Sequence, residues 1–290
     1  MKIVALCLFF ASQIMAYSFF ESDKSIDKRH LDVIHAVKDT VISTQKTRGL
    51  TNNYMNGNVV AQLLVYGQRK QMLKNFTKID NNFKRLELSS EYYKKASELM
   101  NRSKKLNKMA LSMHQSVLMK GRVFKHDSGK IFASYSRIIE GWMDLNKDMI
   151  KVHFSKRDTR TYEKVKLLNN VLLPLTENIG KMRGMGSGIV ARTYCKDKEA
   201  LEMRGFVDEI QRYLTLLEGH LSSTSYSALH KQETHLIKQN IKDYADKTRT
   251  EVIDKSDIKL VTNEYFDQGT AAISDILKIY NVITHSLEQP

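Results

Sequence analysis

Apolar residues recur along this chain at the alternating three- and four-residue steps of helices buried on one face. The clearest run is Ile131, Tyr135, Ile138, Trp142, Leu145, Met149 and Val152, which keeps that alternation throughout. The same period predicts a first helix from near Ser25 to about Met55. There Ile34, Val41, Arg48 and Met55 fall seven apart, with Val37, Thr44 and Thr51 between them. A second helix, to about Leu88, carries Leu73, Phe76, Ile79, Phe83 and Leu86. A third follows the cap Ser89-Ser90-Glu91 with Ala96, Leu99, Ser103, Leu106, Ala110, Met113 and Val117. A fifth shows Val165, Leu168, Leu172, Leu175 and Ile179, and a sixth Met203, Val207, Ile210, Leu214, Leu217 and Leu221. The seventh, to about Asp254, has Leu229, Ile237, Ile241, Tyr244 and Val252. The eighth starts at Lys255 and carries Ile258, Val261, Tyr265, Ala272, Ile276, Ile279 and Ile283. Turns such as Asn56-Gly57-Asn58 join them. Short connections make successive helices antiparallel. The expected fold is all-α: eight long helices forming two up-down four-helix bundles.

A repeat supports the division in two. The motif Lys46-Thr47-Arg48-Gly49-Leu50 returns as Lys181-Met182-Arg183-Gly184-Met185, 183 − 48 = 135 residues later. The halves run about 25–154 and 158–288, related by a pseudo-twofold. Arg48 stands at a stripe position where Val or Ile belongs, and Arg183 lies on or beside the apolar stripe of the fifth helix. A buried guanidinium needs a carboxylate, a set of carbonyls or a bound anion. An internal ion pair with an acid of a neighbouring helix satisfies it. A planar oxyanion shared by both arginines satisfies it equally, since guanidinium offers two parallel N–H donors. Gly180, Gly184 and Gly188 share one helical face, which suits close helix packing and leaves room beside Arg183.

Composition narrows the setting. Residues 1–16 combine Lys2 with an apolar run from Ile3 to Phe10 and a small residue at Ala16, the pattern of a cleaved secretory signal peptide. Leu6 before Cys7 argues against a lipid anchor. The mature chain, 17–290, is then a single helical domain exported to the periplasm. It keeps one cysteine, Cys195, so it has no intrachain disulfide and stands on packing alone. The formal charge of +14 fits an anionic partner, and export disfavours nucleic acid.

No Gly-rich phosphate loop, zinc spacing or nucleophile elbow is present. His30/His35 and His230/His235 are five apart and do not share a helical face, so no metal or cofactor is expected. Acidic residues fall mainly on solvent faces without a catalytic dyad. The chain reads as a binding protein rather than an enzyme. A structural or adaptor bundle with its arginines in internal ion pairs is the alternative. A delivery protein for a transporter is a third reading.

At its two Arg-Gly motifs the chain resembles the nitrate- and nitrite-sensing (NIT) domain family. Gln45-Lys46-Thr47-Arg48-Gly49-Leu50 resembles that family's Gln-Lys-Glu-Arg-Gly-Leu, with Thr47 in place of the acid. Gly180-Lys181-Met182-Arg183 is similar to its Gly-x-Glu-Arg, with Met182 in place of the acid. Phe132 to Leu145 and Gln211-Arg212-Tyr213-Leu214 resemble two further blocks. The resemblance implies two helical bundles and a nitrate or nitrite site lined by Arg48 and Arg183. It also implies a further basic group late in the chain, for which Lys242, Lys247 and Arg249 are the candidates. Ligand occupancy is expected to shift a helix and to be read by a separate partner, such as a membrane sensor kinase. Long exposed helices leave room for a homodimer.

Overall fold

The computed structural model describes residues 2–85, 91–102, 104–105, 128–154, 159–222 and 231–288, with side chains from residue 28 on, except those of Val152 and Lys231. Helix α1 spans Lys2–Met55, α2 Ala61–Arg85, α3 residues 91–102, and α4 Ser128–Phe154. Helix α5 is one rod built from Thr159–Leu167, a π-turn at Leu168–Leu172, and Leu173–Arg192. Helix α6 is Asp197–Leu221. Helix α7 is Lys231–Thr248 and closes in a second π-turn, Arg249–Ile253. Helix α8 is Thr262–Glu288. The fold is all-α, without a strand among the described residues.

The first π-turn has a local cause. Pro174 has no N–H to give the carbonyl of residue 170, and the wider turn ends just before it. Asn146 of α4 donates to Asn169 in that turn at 2.8 Å, pinning α5 to α4 there.

Two apolar cores follow the two halves. One gathers Val37 and Val41 of α1, Met72, Phe76, Ile79 and Phe83 of α2, Ala96 and Leu99 of α3, and Tyr135, Ile138, Trp142 and Leu145 of α4. The other gathers Leu168, Leu175 and Ile179 of α5, Met203 and Ile210 of α6, Ile241 and Tyr244 of α7, and Tyr265, Ile276 and Ile279 of α8. Trp142 is fully buried and stacks on Phe76, so it acts as a core anchor. Helix α1 serves both cores: Leu31 and Ile34 turn toward the second.

Several expectations shift. The backbone of α1 is helical from Lys2 rather than from Ser25. In α2 the buried stripe passes through Met72, and Leu73 is exposed, because Met72, Phe76, Ile79 and Phe83 pack with α1 and α4, while Val65 packs with Leu50 and Phe266. Helix α8 starts at Thr262, not Lys255: Ile258 plugs the core from a non-helical segment, while Val261 is exposed. Leu86, Leu106, Ala110, Met113, Val117 and Leu229 lie outside the described residues.

Candidate functional site

The two Arg-Gly motifs meet. Helices α1 and α5 cross so closely that a Cβ on Gly184 would lie 3.1 Å from the Gly49 Cα. Only glycine on both sides lets two backbones approach this far. The face of Gly180, Gly184 and Gly188 therefore packs on α1, and a Cβ on Gly180 would lie 3.3 Å from Nη2 of Arg48.

Each arginine leaves the crossing toward the last helix of its own half and finds the same pair of supports. Arg48 lies over the Phe132 ring of α4 with 4.8 Å to the centroid, and its Nη1 donates to the Ser136 hydroxyl at 2.9 Å. Arg183 lies over the Phe266 ring of α8 at 4.6 Å, and its Nη1 donates to the Thr270 hydroxyl at 2.9 Å. Ser136 and Thr270 each donate back to the carbonyl of that phenylalanine at 3.0 Å. The spacings 266 − 132 and 270 − 136 are both 134, so the pseudo-twofold holds at side-chain level. Stacking on an aromatic face compensates part of a buried cation's lost hydration, about 2 kcal/mol where water is excluded.

The symmetry breaks at one residue. Glu177 of α5 closes on Arg48 with both oxygens, 2.6 Å from Nη1 and 3.1 Å from Nη2. Arg48 is 0 % and Glu177 2 % exposed. An internal carboxylate thus holds the Arg48 fork, the ion pair that the sequence weighs against a bound anion. Acids are not confined to solvent faces, since Glu177 is buried. Lys181, one turn on, approaches Glu177 at 3.9 Å and pairs with Glu140 of α4 at 3.0 Å.

Arg183 has no such partner. It is 2 % exposed, no described carboxylate forms an ion pair with it, and its Nε makes no hydrogen bond. Burial, together with the like charge of Arg48, holds it down at about 10, against the favourable pull of Tyr244. It therefore stays charged at neutral pH. Tyr244 of α7 comes close, since a Cβ on Gly269 would meet the Tyr244 hydroxyl at 2.6 Å and Arg183 Cβ at 2.8 Å. The cluster Arg48, Arg183 and Glu177 thus carries one net positive charge inside the protein, a place that favours one monovalent anion.

Two of the late basic candidates, Lys242 and Arg249, lie on the exposed surface. Lys242 is exposed and lines a cleft with Gln211, Glu218 and His235. Arg249 is exposed and sits 3.7 Å from Asp208. Lys247 is half-buried. The α7 residue that reaches Arg183 is Tyr244. Arg212 is exposed on Glu209 and over Tyr213, away from the crossing. The His30 ring lies against His153, tilted by 43° with 4.2 Å between centroids. Among the described residues, no group of His, Cys, Asp and Glu is placed to hold a metal.

A search of curated protein sequences returned no match. Among solved structures, the chain is similar to the structure of the NasR transcription antiterminator at 13 % identity and a TM-score of 0.67, covering 94 % of this chain and 73 % of that one. That likeness concerns the fold. A family model described as nitrate and nitrite sensing matches residues 39–288, which takes in both arginines, the phenylalanines beneath them and the helix crossing. The chain belongs to the NIT family of nitrate- and nitrite-sensing domains.

Proposed function

We propose that this chain is an exported, periplasmic nitrate/nitrite-binding sensor module whose ligand settles at the α1–α5 crossing, on Arg183 and Arg48. Occupancy is relayed by a shift of those helices to a separate partner such as a membrane sensor kinase. One observation carries the reading: Arg183 is a buried cation with an unpaired Nε, and no carboxylate among the described residues forms an ion pair with it. A protein keeps such a group at a cost of several kcal/mol, which a bound anion repays. Nitrate is planar, weakly hydrated and monovalent, and matches both the guanidinium edge and the net charge of the cluster.

The adaptor reading is favoured at Arg48 by its ion pair with Glu177. Thermal unfolding with nitrate, nitrite, chloride and sulfate at matched ionic strength separates the two. Ligand at a hundred times its Kd adds about 2.7 kcal/mol. For a domain of this size that raises Tm by roughly 5–10 °C. Arg183→Ala should abolish a nitrate- or nitrite-selective rise. Equal responses to all four anions, or a response that survives in the variant, would make the arginines structural.

A further inference from the structure

Glu177 is the component of the site without a counterpart in the other half. Its pseudo-twofold position, 177 − 135 = 42, holds Ile42. Ile42 packs on the second core, and among the described residues Arg183 has no ion-paired carboxylate, only the fields of Glu177 and Asp267. The Glu177 carboxylate is itself a planar oxyanion. It lies on the Nη1/Nη2 fork of Arg48 at 2.6 and 3.1 Å, the geometry in which guanidinium binds a free planar oxyanion. We propose that Glu177 is an internal competitor of the ligand: its carboxylate occupies the anion position on Arg48, and the ligand binds by displacing it toward Lys181. This rests on the nitrate/nitrite reading above.

Three observations bear on it. Glu177 holds both terminal nitrogens of Arg48 and leaves only its Nε free, so an anion that takes the Nη1/Nη2 fork of Arg48 cannot bind without moving it. A receiving cation is in place, because Lys181 Nζ is 3.9 Å from Oε1 and its side chain is 21 % exposed. Between α4, α5 and α6, Glu177 lines an open cleft of about 620 Å³ with Lys147, Lys181, Glu202, Glu209 and Tyr213. Rotation of the side chain takes the carboxylate into that cleft and to water without crossing the core. After the exchange the two arginines share the anion, and Lys181 and solvent take Glu177. Occupancy thereby becomes movement on α5, with Glu177 changing partners.

A competitor lowers apparent affinity by the fraction of molecules in which it is open, so removing it tightens binding by the inverse of that fraction. The test measures nitrate binding by calorimetry for the full chain and for Glu177→Gln and Glu177→Asp. Glu177→Gln removes the charge and keeps the shape. Glu177→Asp keeps the charge but is one methylene too short for the fork. Tightening of about tenfold or more in both supports displacement. Tightening in Glu177→Gln alone overturns it, because the field of the carboxylate rather than its occupancy would then set affinity. Binding equal to the unaltered chain in both overturns it too. If neither variant folds, carbodiimide labelling of the unaltered chain decides. Glu177 modification should rise several-fold with saturating nitrate, and a level unchanged by nitrate overturns the proposal. Nitrate binding with any of these negative results leaves the sensor reading standing. No binding of nitrate or nitrite by the unaltered chain or the variants removes both.

Discussion

Gly49 and Gly184 touch across the α1–α5 crossing, and this contact sets where both arginines begin. The nearest atoms to a Cβ on Gly184 are the Phe132 ring at 3.0 Å and the Gly49 Cα at 3.1 Å. The ring is fixed by the guanidinium stacked on it, and the Cα is backbone, so neither yields easily. Gly184→Val should therefore cost about 1–3 kcal/mol by overpacking. It should also weaken anion-dependent stabilisation, since the crossing must open. Chemical denaturation with and without nitrate measures both effects. Gly67, with nothing within 4 Å of a built Cβ, is the control, and Gly67→Ala should not lower stability.

The acid side of the stability profile should come from histidines. His153 is held below its ordinary value by burial and then by His30, whose ring is 4.2 Å away. His35 is lowered by burial and then by Lys38. A lowered folded value means the unfolded chain takes the proton first as pH falls through about 6.5. Stability is then complete above that pH and declines through the window down to the lowered values. Tm should be lower at pH 5 than at pH 7.5. His153→Phe, which removes one titrating ring but keeps an aromatic partner for His30, should narrow the difference. An unchanged difference in that variant would assign the acid loss to other groups.

Helix α2 separates what pattern reveals from what packing decides. Period alone locates the helix, but Leu73 and Met72 are neighbours of equal hydrophobic appeal, and only the neighbouring helices choose between them. Met72 is 0 % and Leu73 37 % exposed. Met72→Ala should cost about 2–5 kcal/mol. Leu73→Lys should stay within about 0.5 kcal/mol of the parent. Thermal unfolding of the two variants checks this register. The site was legible in the same partial way. The repeat disclosed Arg48 and Arg183 because a motif recurs in sequence. Their stacking on Phe132 and Phe266 was not legible, because those residues are 84 and 83 positions away (132 − 48; 266 − 183) and look like ordinary core. Glu177 carries a signal in the sequence: it is the lone acid between Glu163 and Asp197, inside an apolar stretch. Tyr244 looks like core and is core, yet its hydroxyl end lies near Arg183.

The two arginines should respond in opposite ways to the same substitution. Arg48→Met leaves Glu177 buried with its main cation gone and only Lys181 at 3.9 Å, so it should cost about 3–5 kcal/mol. Adding Glu177→Leu to that variant should restore most of the loss, because an apolar pair replaces an ionic one of similar volume. Arg183→Met removes a buried cation that is ion-paired to no carboxylate among the described residues and exchanges it for a side chain that fits against Phe266. Its stability without anion should equal or exceed that of the parent, while the nitrate-dependent rise in Tm disappears. Denaturant unfolding of the four proteins with and without nitrate measures this contrast. A large loss in Arg183→Met without nitrate would mean that Thr270 and Tyr244 already satisfy the cation, leaving an anion little to stabilise.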